Sequence, residues 1–286
     1  MEMMPPCSLK TVRFGSEHVI GKEVDSMAAQ LIVMRHGESV WTQKSVNRFA
    51  GWVDVPLTER GLQQARHAGQ LLRQSGLLPD LVFTSLLTRS IITANIVLDL
   101  VDRAWIPVER TWRLNERHYG AFQGQTRPAM LGRYGQQQFD IYRRSYDVRP
   151  PTIETDSPYF QGLDPRYAPA MSDGLDSRNP AEIRAECLKD LLLRLHPYWR
   201  SRIAPNLAQG RTVLIVTHGS VVRSLIKVLE DVDDKDIRSI NVPTGVPMVY
   251  NFETDEDGNL QVLGPGRYLD QKAANQGIAE TAALGR

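Results

Sequence analysis

A chain of 286 residues with 42% hydrophobic and 23% charged side chains can build one large α/β domain or two small ones, and is not a disordered or fibrous polymer. Its formal net charge of +1 gives no global attraction to nucleic acid or acidic membrane, so any anion site has to be built locally. No apolar run approaches the ~20 residues of a spanning helix. Two cysteines, Cys7 and Cys187, exclude a disulfide framework, and six histidines lack metal-ligand spacing; a soluble cytoplasmic protein without metal is expected.

Residues 1–29 show no sustained period and read as an N-terminal extension. Glu2, Glu17, Glu23 and Asp25 argue against a mitochondrial presequence. The body is expected over 30–269, followed by a tail over 270–286. In the body, Leu31-Ile32-Val33-Met34 runs straight into Arg35-His36-Gly37. That pattern predicts a buried strand delivering a cation and an imidazole to the C-terminal end of a sheet, where open α/β folds place chemistry. A neutral histidine is a competent nucleophile near pH 7, and an adjacent guanidinium can hold the oxygens of the group it attacks. Trp41 to Val55, with Gly51 near its middle, reads as a loop leaving that strand end.

Thr58 is placed to cap a helix ending near Gly76, with Leu62, Ala65, Gly69 and Leu72 on one face. A second strand is expected over Leu81–Ser85, then a helix from Ser85 to about Asp102. Arg89 falls in its first turn, where a cation opposes the helix dipole; an anionic partner would explain it. Leu114 to Gly124 is a polar cluster bounded by glycine, and Arg127 to Arg149 reads as a basic helix containing Arg143 and Arg144. Residues 146–180 form a long excursion and a candidate lid. A helix from about Ala181 carries Ile183, Cys187, Leu191, Leu195 and Tyr198 as a core stripe. Arg211 to Ser220 repeats the opening design, an apolar strand ending in His218-Gly219 and followed by a helix. Two such strands can bring His36 and His218 together. A turn-rich loop over residues 241–247 precedes a strand from Met248 to Phe252.

Arg35-His36-Gly37, Thr84-Ser85 with Arg89, Asn115-Glu116-Arg117-His118-Tyr119-Gly120, Arg143-Arg144, His218-Gly219 and Pro243-Thr244-Gly245-Val246-Pro247 occur in the order and approximate spacing of the histidine phosphatase superfamily. Within it the chain resembles the cofactor-dependent phosphoglycerate mutases, from about residue 30 into the tail. The resemblance implies a single α/β domain, with a mostly parallel sheet between helices on both faces. It implies interconversion of 3-phosphoglycerate and 2-phosphoglycerate through a phosphohistidine, primed by 2,3-bisphosphoglycerate and without metal.

His36 would then accept the phosphoryl group, while Arg35, Arg89 and His218 neutralise its oxygens. Glu116 would shuttle the proton. Arg117, Tyr119, Arg127, Arg143 and Arg144 would hold the glycerate carboxylate and remaining phosphate, with Gly51, Thr42, Gly219 and Ser220 also at the binding site. A homodimer or homotetramer is expected, as is common among such proteins. Family members usually carry asparagine at Thr42, threonine at Ala50, lysine at Arg127 and asparagine at Ser220, positions that handle phosphate or support the site. Each lost hydrogen bond to a charged group would cost roughly 1.5–3 kcal/mol.

Two alternatives stand beside the mutase. One is a phosphatase or bisphosphoglycerate synthase/phosphatase of the same chemistry; the other is a non-catalytic binding module of this fold. The Arg143-Arg144 pair and the long excursion favour a site that holds glycerate and excludes water.

Overall fold

The computed structural model describes residues 28–168, 173–255 and 259–284, so the expected extension lies almost wholly outside the described residues. Strand β1, Ala29–Arg35, is buried at every position except Gln30. Helix α1, Glu59–Ser75, begins at Thr58, whose side chain accepts from the Gly61 amide, and stops at Gly76 in the left-handed conformation. Strand β2, Leu81–Thr84, leads to helix α2, Thr88–Leu100. That helix starts later than expected: Ser85 to Leu87 form a bend, with the Leu87 amide donating to Ser85 Oγ at 3.1 Å.

Strand β3 is Val108–Arg110 and helix α3 is Arg127–Arg144. The expected run to Arg149 ends early, because Ser145 turns to extended backbone, and Gly135 breaks the helix with φ 71° and ψ 162°. Helix α4 is Leu188–Tyr198 rather than a run from Ala181. Pro180–Glu182 form one tight turn, Ile183 continues extended, and Cys187 caps the helix. A wide turn over Trp199–Ile203 joins α4 to helix α5, Ala204–Ala208. Strand β4, Thr212–Thr217, passes through His218 into helix α6, Gly219–Leu229. Strands β5 (Met248–Thr254), β6 (Leu260–Val262) and β7 (Arg267–Tyr268) precede helix α7, Gln271–Ala283.

The sheet order is β3-β2-β4-β1-β5-β6, with β7 also on β5. The contacts joining β3, β2, β4 and β1 are parallel, and those of β5 with β1, β6 and β7 are antiparallel. Because side chains alternate along a strand, β1 divides its apolar residues between two cores. Ile32 and Met34 face α1 and α2, whereas Leu31 and Val33 face the layer of α4, α5 and α6. Both faces are covered, which explains the nearly continuous apolar text of β1 and β4. The single mixed, mostly parallel α/β domain expected from the sequence is what forms. Among the described residues no helix is long and apolar enough to cross a membrane.

The strand end is held against α1 by a contact that needs glycine on both sides. A Cβ on Gly37 would lie 2.2 Å from the Gly61 carbonyl oxygen, and one on Gly61 would lie 2.1 Å from that of Glu38. Gly61→Ala, which helix propensity alone would make about 1 kcal/mol more stable, is therefore expected to lose about 1–3 kcal/mol in urea unfolding through overpacking. Unchanged or increased stability would show that the loop after His36 yields freely.

Candidate active site

Parallel pairing of β1 with β4 aligns Arg35 with Thr217, and the His36 amide donates to the Thr217 carbonyl at 2.9 Å. Both strands end in histidine at the same level, so the rings of His36 and His218 meet edge to face with centroids 4.9 Å apart. His36 Nδ1 lies 2.6 Å from the Gly37 carbonyl. A carbonyl can only accept, so Nδ1 carries the proton and Nε2 keeps its lone pair. Arg89 Nε donates towards that Nε2 at 3.3 Å, while its two terminal nitrogens hold the Val53 and Gly51 carbonyls at 2.9 and 2.8 Å. The cation at the start of α2 thus serves the neighbouring strand end. His218 Nε2 is 2.7 Å from Ser85 Oγ, on the bend after β2. Arg35 reaches the other way, donating to the Val242 carbonyl at 3.0 Å.

Burial holds both histidines well below their ordinary value, helped at His36 by Arg89 and Arg35 and at His218 by Arg89, His36 and Arg35. The rings are neutral at physiological pH, as a nucleophilic nitrogen requires. Arg89 is itself drawn down to about 10 by burial and remains a cation.

Glu116 comes from the loop after Trp112–Leu114. Its Oε1 accepts from the Arg117 amide at 2.8 Å and from the Ser220 amide, in the first turn of α6, at 3.1 Å. The backbone behind it is clamped by Arg194 of α4, which is 1% exposed. Arg194 Nη2 donates to the Asn115 and Glu116 carbonyls at 2.8 and 3.0 Å, and its Nη1 to those of Trp112 and Arg113. Glu186 completes the frame: it pairs with Arg194 Nε at 2.7 Å and accepts from the His118 amide at 2.9 Å. His118 is a framework residue, its ring bonded to Gln161 and to the Gly120 amide, and burial lowers it to about 4.

Arg35, Glu116, Tyr119, Arg127, Arg143, Arg144, Gly219, Ser220 and Arg223 line one cavity, closed by Ile240, Asn241 and Val242 and by Thr281 and Leu284 at the end of α7. Among the described residues, five guanidiniums face a single carboxylate. Arg143 is pulled down to about 9 by burial and then by Arg127, and Arg144 to about 10 by burial and then by Arg143. Arg127 falls to about 10, chiefly through burial. All stay protonated near neutrality, so the wall is a field of mutually repelling cations suited to a small polyanion.

Several residues expected at the site sit elsewhere in it. Arg117 does not line the cavity; it donates to the Tyr142 and Arg143 carbonyls at 3.2 and 2.8 Å and so fixes the end of α3. Gly51 contributes its carbonyl to Arg89. Thr42 bonds the Ser39 amide at 3.0 Å and lines a neighbouring hollow beneath α7. Ala50 is buried and outside the cavity lining. Arg127 lies over Phe49, 4.6 Å from its ring centre, and donates to Asn47 Oδ1 at 3.0 Å, tying α3 to the loop after β1. None of the described residues of the 146–180 excursion lines the cavity. It is bolted on behind, by Arg166 to Asp54 and by Asp173 and Asp176 to Arg113, while α7 provides the cover. Arg194, Arg223 and Ser85 escaped the sequence reading as site residues. For the two arginines the available signal was a cation within an apolar helical stripe.

Because the folded state lowers the histidine values, the unfolded chain binds more protons between pH 6.5 and the folded values. His36, His118 and His218 therefore contribute stability that is complete above about pH 6.5 and is lost as pH falls. Urea unfolding should weaken from pH 7 to pH 5, each group adding at most about 1.4 kcal/mol per pH unit. Stability that is flat or rising over this interval would contradict three buried neutral rings.

A family model of the histidine phosphatase superfamily (branch 1) matches residues 31–161 and 159–263. A 2,3-bisphosphoglycerate-dependent phosphoglycerate mutase of Clavibacter sepedonicus is 51% identical over 255 residues, 89% of this chain and 96% of its own length. One of the same description from Cutibacterium acnes is 50% identical over 260 residues, 91% of this chain and 99% of its own. Among solved structures, Bacillus stearothermophilus YhfR aligns with a TM-score of 0.58 at 27% identity, covering 82% of this chain and 95% of its own. A phosphoglycerate mutase from Bacillus anthracis aligns with a TM-score of 0.56 at 20% identity, covering 91% and 100%, and shares the fold. With its paired strand-end histidines, the chain belongs to the histidine phosphatase superfamily.

Proposed function

We propose that the protein interconverts 3-phosphoglycerate and 2-phosphoglycerate by way of a phosphohistidine at His36, primed by 2,3-bisphosphoglycerate. The observation that carries this reading is an unprotonated Nε2 on His36, whose chain neighbour Arg35 lines a cavity where, among the described residues, one carboxylate meets a wall of guanidiniums. Half-identical relatives over most of the chain bear the name of this activity. The wall fits the priming compound: five buried or half-buried cations against one carboxylate require a ligand with several negative charges. When bound, 2,3-bisphosphoglycerate supplies the phosphoryl group for His36, and Arg127, Arg143 and Arg144 would hold its remaining anionic groups.

In the turnover itself the His36 Nε2 lone pair forms a bond to one phosphorus of the bisphosphorylated glycerate as the bond from that phosphorus to its glycerate oxygen breaks, leaving a monophosphoglycerate and a phosphohistidine ready for the free hydroxyl of the next substrate. Arg89 faces the oxygens that gain charge, with the Arg35 cation on the cavity side, and His218 meets them as a neutral ring held by Ser85. Glu116 hands its proton to the departing oxygen. Its Oε1 is fixed by two amides, which leaves Oε2 for the substrate hydroxyl. In the return half, Glu116 takes the proton from the other hydroxyl as that oxygen attacks the phosphohistidine. The cover of α7, with Thr281 Oγ1 on the Val242 carbonyl at 3.3 Å, helps keep water from the phosphohistidine between the halves. A cytoplasmic setting and self-association as a dimer or tetramer go with this reading.

With 3-phosphoglycerate and a trace of 2,3-bisphosphoglycerate, the protein is expected to form 2-phosphoglycerate and to carry an acid-labile phosphoryl label. His36→Ala should abolish both. Release of free phosphate outpacing 2-phosphoglycerate, or turnover persisting in His36→Ala, would overturn the reading. Glu116→Gln should lower mutase turnover by about 10²–10⁴ and still accept a phosphoryl group from p-nitrophenyl phosphate, whose leaving group needs no acid. Equal loss with both donors would remove Glu116 from the proton-transfer role.

A further inference from the structure

Arg223 is a buried arginine whose surroundings leave it incomplete. It is 7% exposed, its Nη2 makes one long contact of 3.3 Å to Ser220 Oγ, and its buried Nη1 has no partner among the described residues. No carboxylate lies within ion-pair distance of it among those residues. Two other buried arginines show what structural use looks like in this protein. Arg113 is bound by Asp173 and Asp176, and Arg194 by Glu186 and four carbonyls. An arginine kept only for packing gains nothing from a desolvated, unpaired charge, and burying one is costly. Arg223 also suffers its neighbours: burial first and then Arg144 draw it down to about 10.

Its place on α6 gives the charge a use. Arg223 lines the cavity together with Glu116, Tyr119 and Arg144. Ser220 links it to the site, since the Ser220 amide fixes Glu116 and the Ser220 hydroxyl accepts from Arg223.

We infer that Arg223 is a substrate-binding residue that grips the anionic group remote from the phosphoryl being transferred. Resting on the mutase reading, this makes Arg223 part of what separates a two-ended anion from a simple phosphate ester. Its planar fork offers two N–H groups to a carboxylate or a phosphate, the partners the fold withholds.

The test compares phosphorylation of His36 by 2,3-bisphosphoglycerate and by p-nitrophenyl phosphate, which has no second anion, in wild type, Arg223→Gln and Arg223→Lys. The ratio of the two rate constants at subsaturating donor should fall by about tenfold or more in Arg223→Gln, the loss of one charged hydrogen-bonding partner, with Arg223→Lys in between. A ratio that does not move would overturn the inference, because a purely structural arginine impairs both donors alike. Failure of 2,3-bisphosphoglycerate to label the wild type would instead overturn the mutase reading, while labelling with an unmoved ratio would strike only Arg223.

Discussion

The site depends on a parallel register between two strands that are far apart in sequence. Pairing β1 with β4 so that Arg35 lies beside Thr217 puts two histidines at one height, at the C-terminal ends of adjacent central strands. A slip of one residue would turn every side chain of one strand to the opposite face, and its apolar division between two cores forbids that. The hydrophobic packing of Ile32 and Met34 against α1 and α2, and of Leu31 and Val33 against the opposite helices, therefore aims His36. The desolvation that comes with such packing keeps the rings neutral.

Charge is handled in two distinct ways in the same molecule. Behind the site, buried arginines are saturated: Arg113 by two aspartates, Arg194 by a glutamate and a row of carbonyls that shape the loop carrying Glu116. Removing one partner from such a pair exposes the full desolvation cost of the other, so these contacts act as fixed points of the frame. Inside the cavity the arginines crowd one another, and among the described residues only Glu116 opposes them. The frame bears the cost of assembling the cations, a cost that a bound polyanion would relieve.

Much of the frame was legible because burial on both faces writes itself as an apolar run. The two strands ending in histidine, the Thr58 cap and the Gly76 stop all form where their chemistry places them. Helix α4 was read too early because Ile183 and Cys187 continue its apolar spacing, although Pro180 starts a separate turn and extended backbone intervenes. Arg194 and Arg223 were hidden by the same feature that makes them informative. A cation in an apolar stripe has no local partner in sequence, and its meaning lies in carbonyls or anions brought from elsewhere. The excursion over 146–180 has the length of a cover, yet ion pairs bind its described parts behind the site. The alanine-rich stretch beyond residue 270 takes that place because Gly277 lets α7 close on Pro243, where a Cβ would lie 2.7 Å away.

The strand order also bears on how the molecule comes into being. β1 and β2 are consecutive in sequence, yet β4 lies between them, so their backbones stand two strand spacings apart, roughly 10 Å. A nascent chain that has made β1, α1, β2 and α2 has a sheet with a missing middle rather than a finished half. Completion waits for a strand more than a hundred residues downstream, a long-range closure of the kind that slows folding. The strand that fills the gap between β1 and β2 also brings the second histidine, so completing the parallel part of the sheet and assembling the pair are one event.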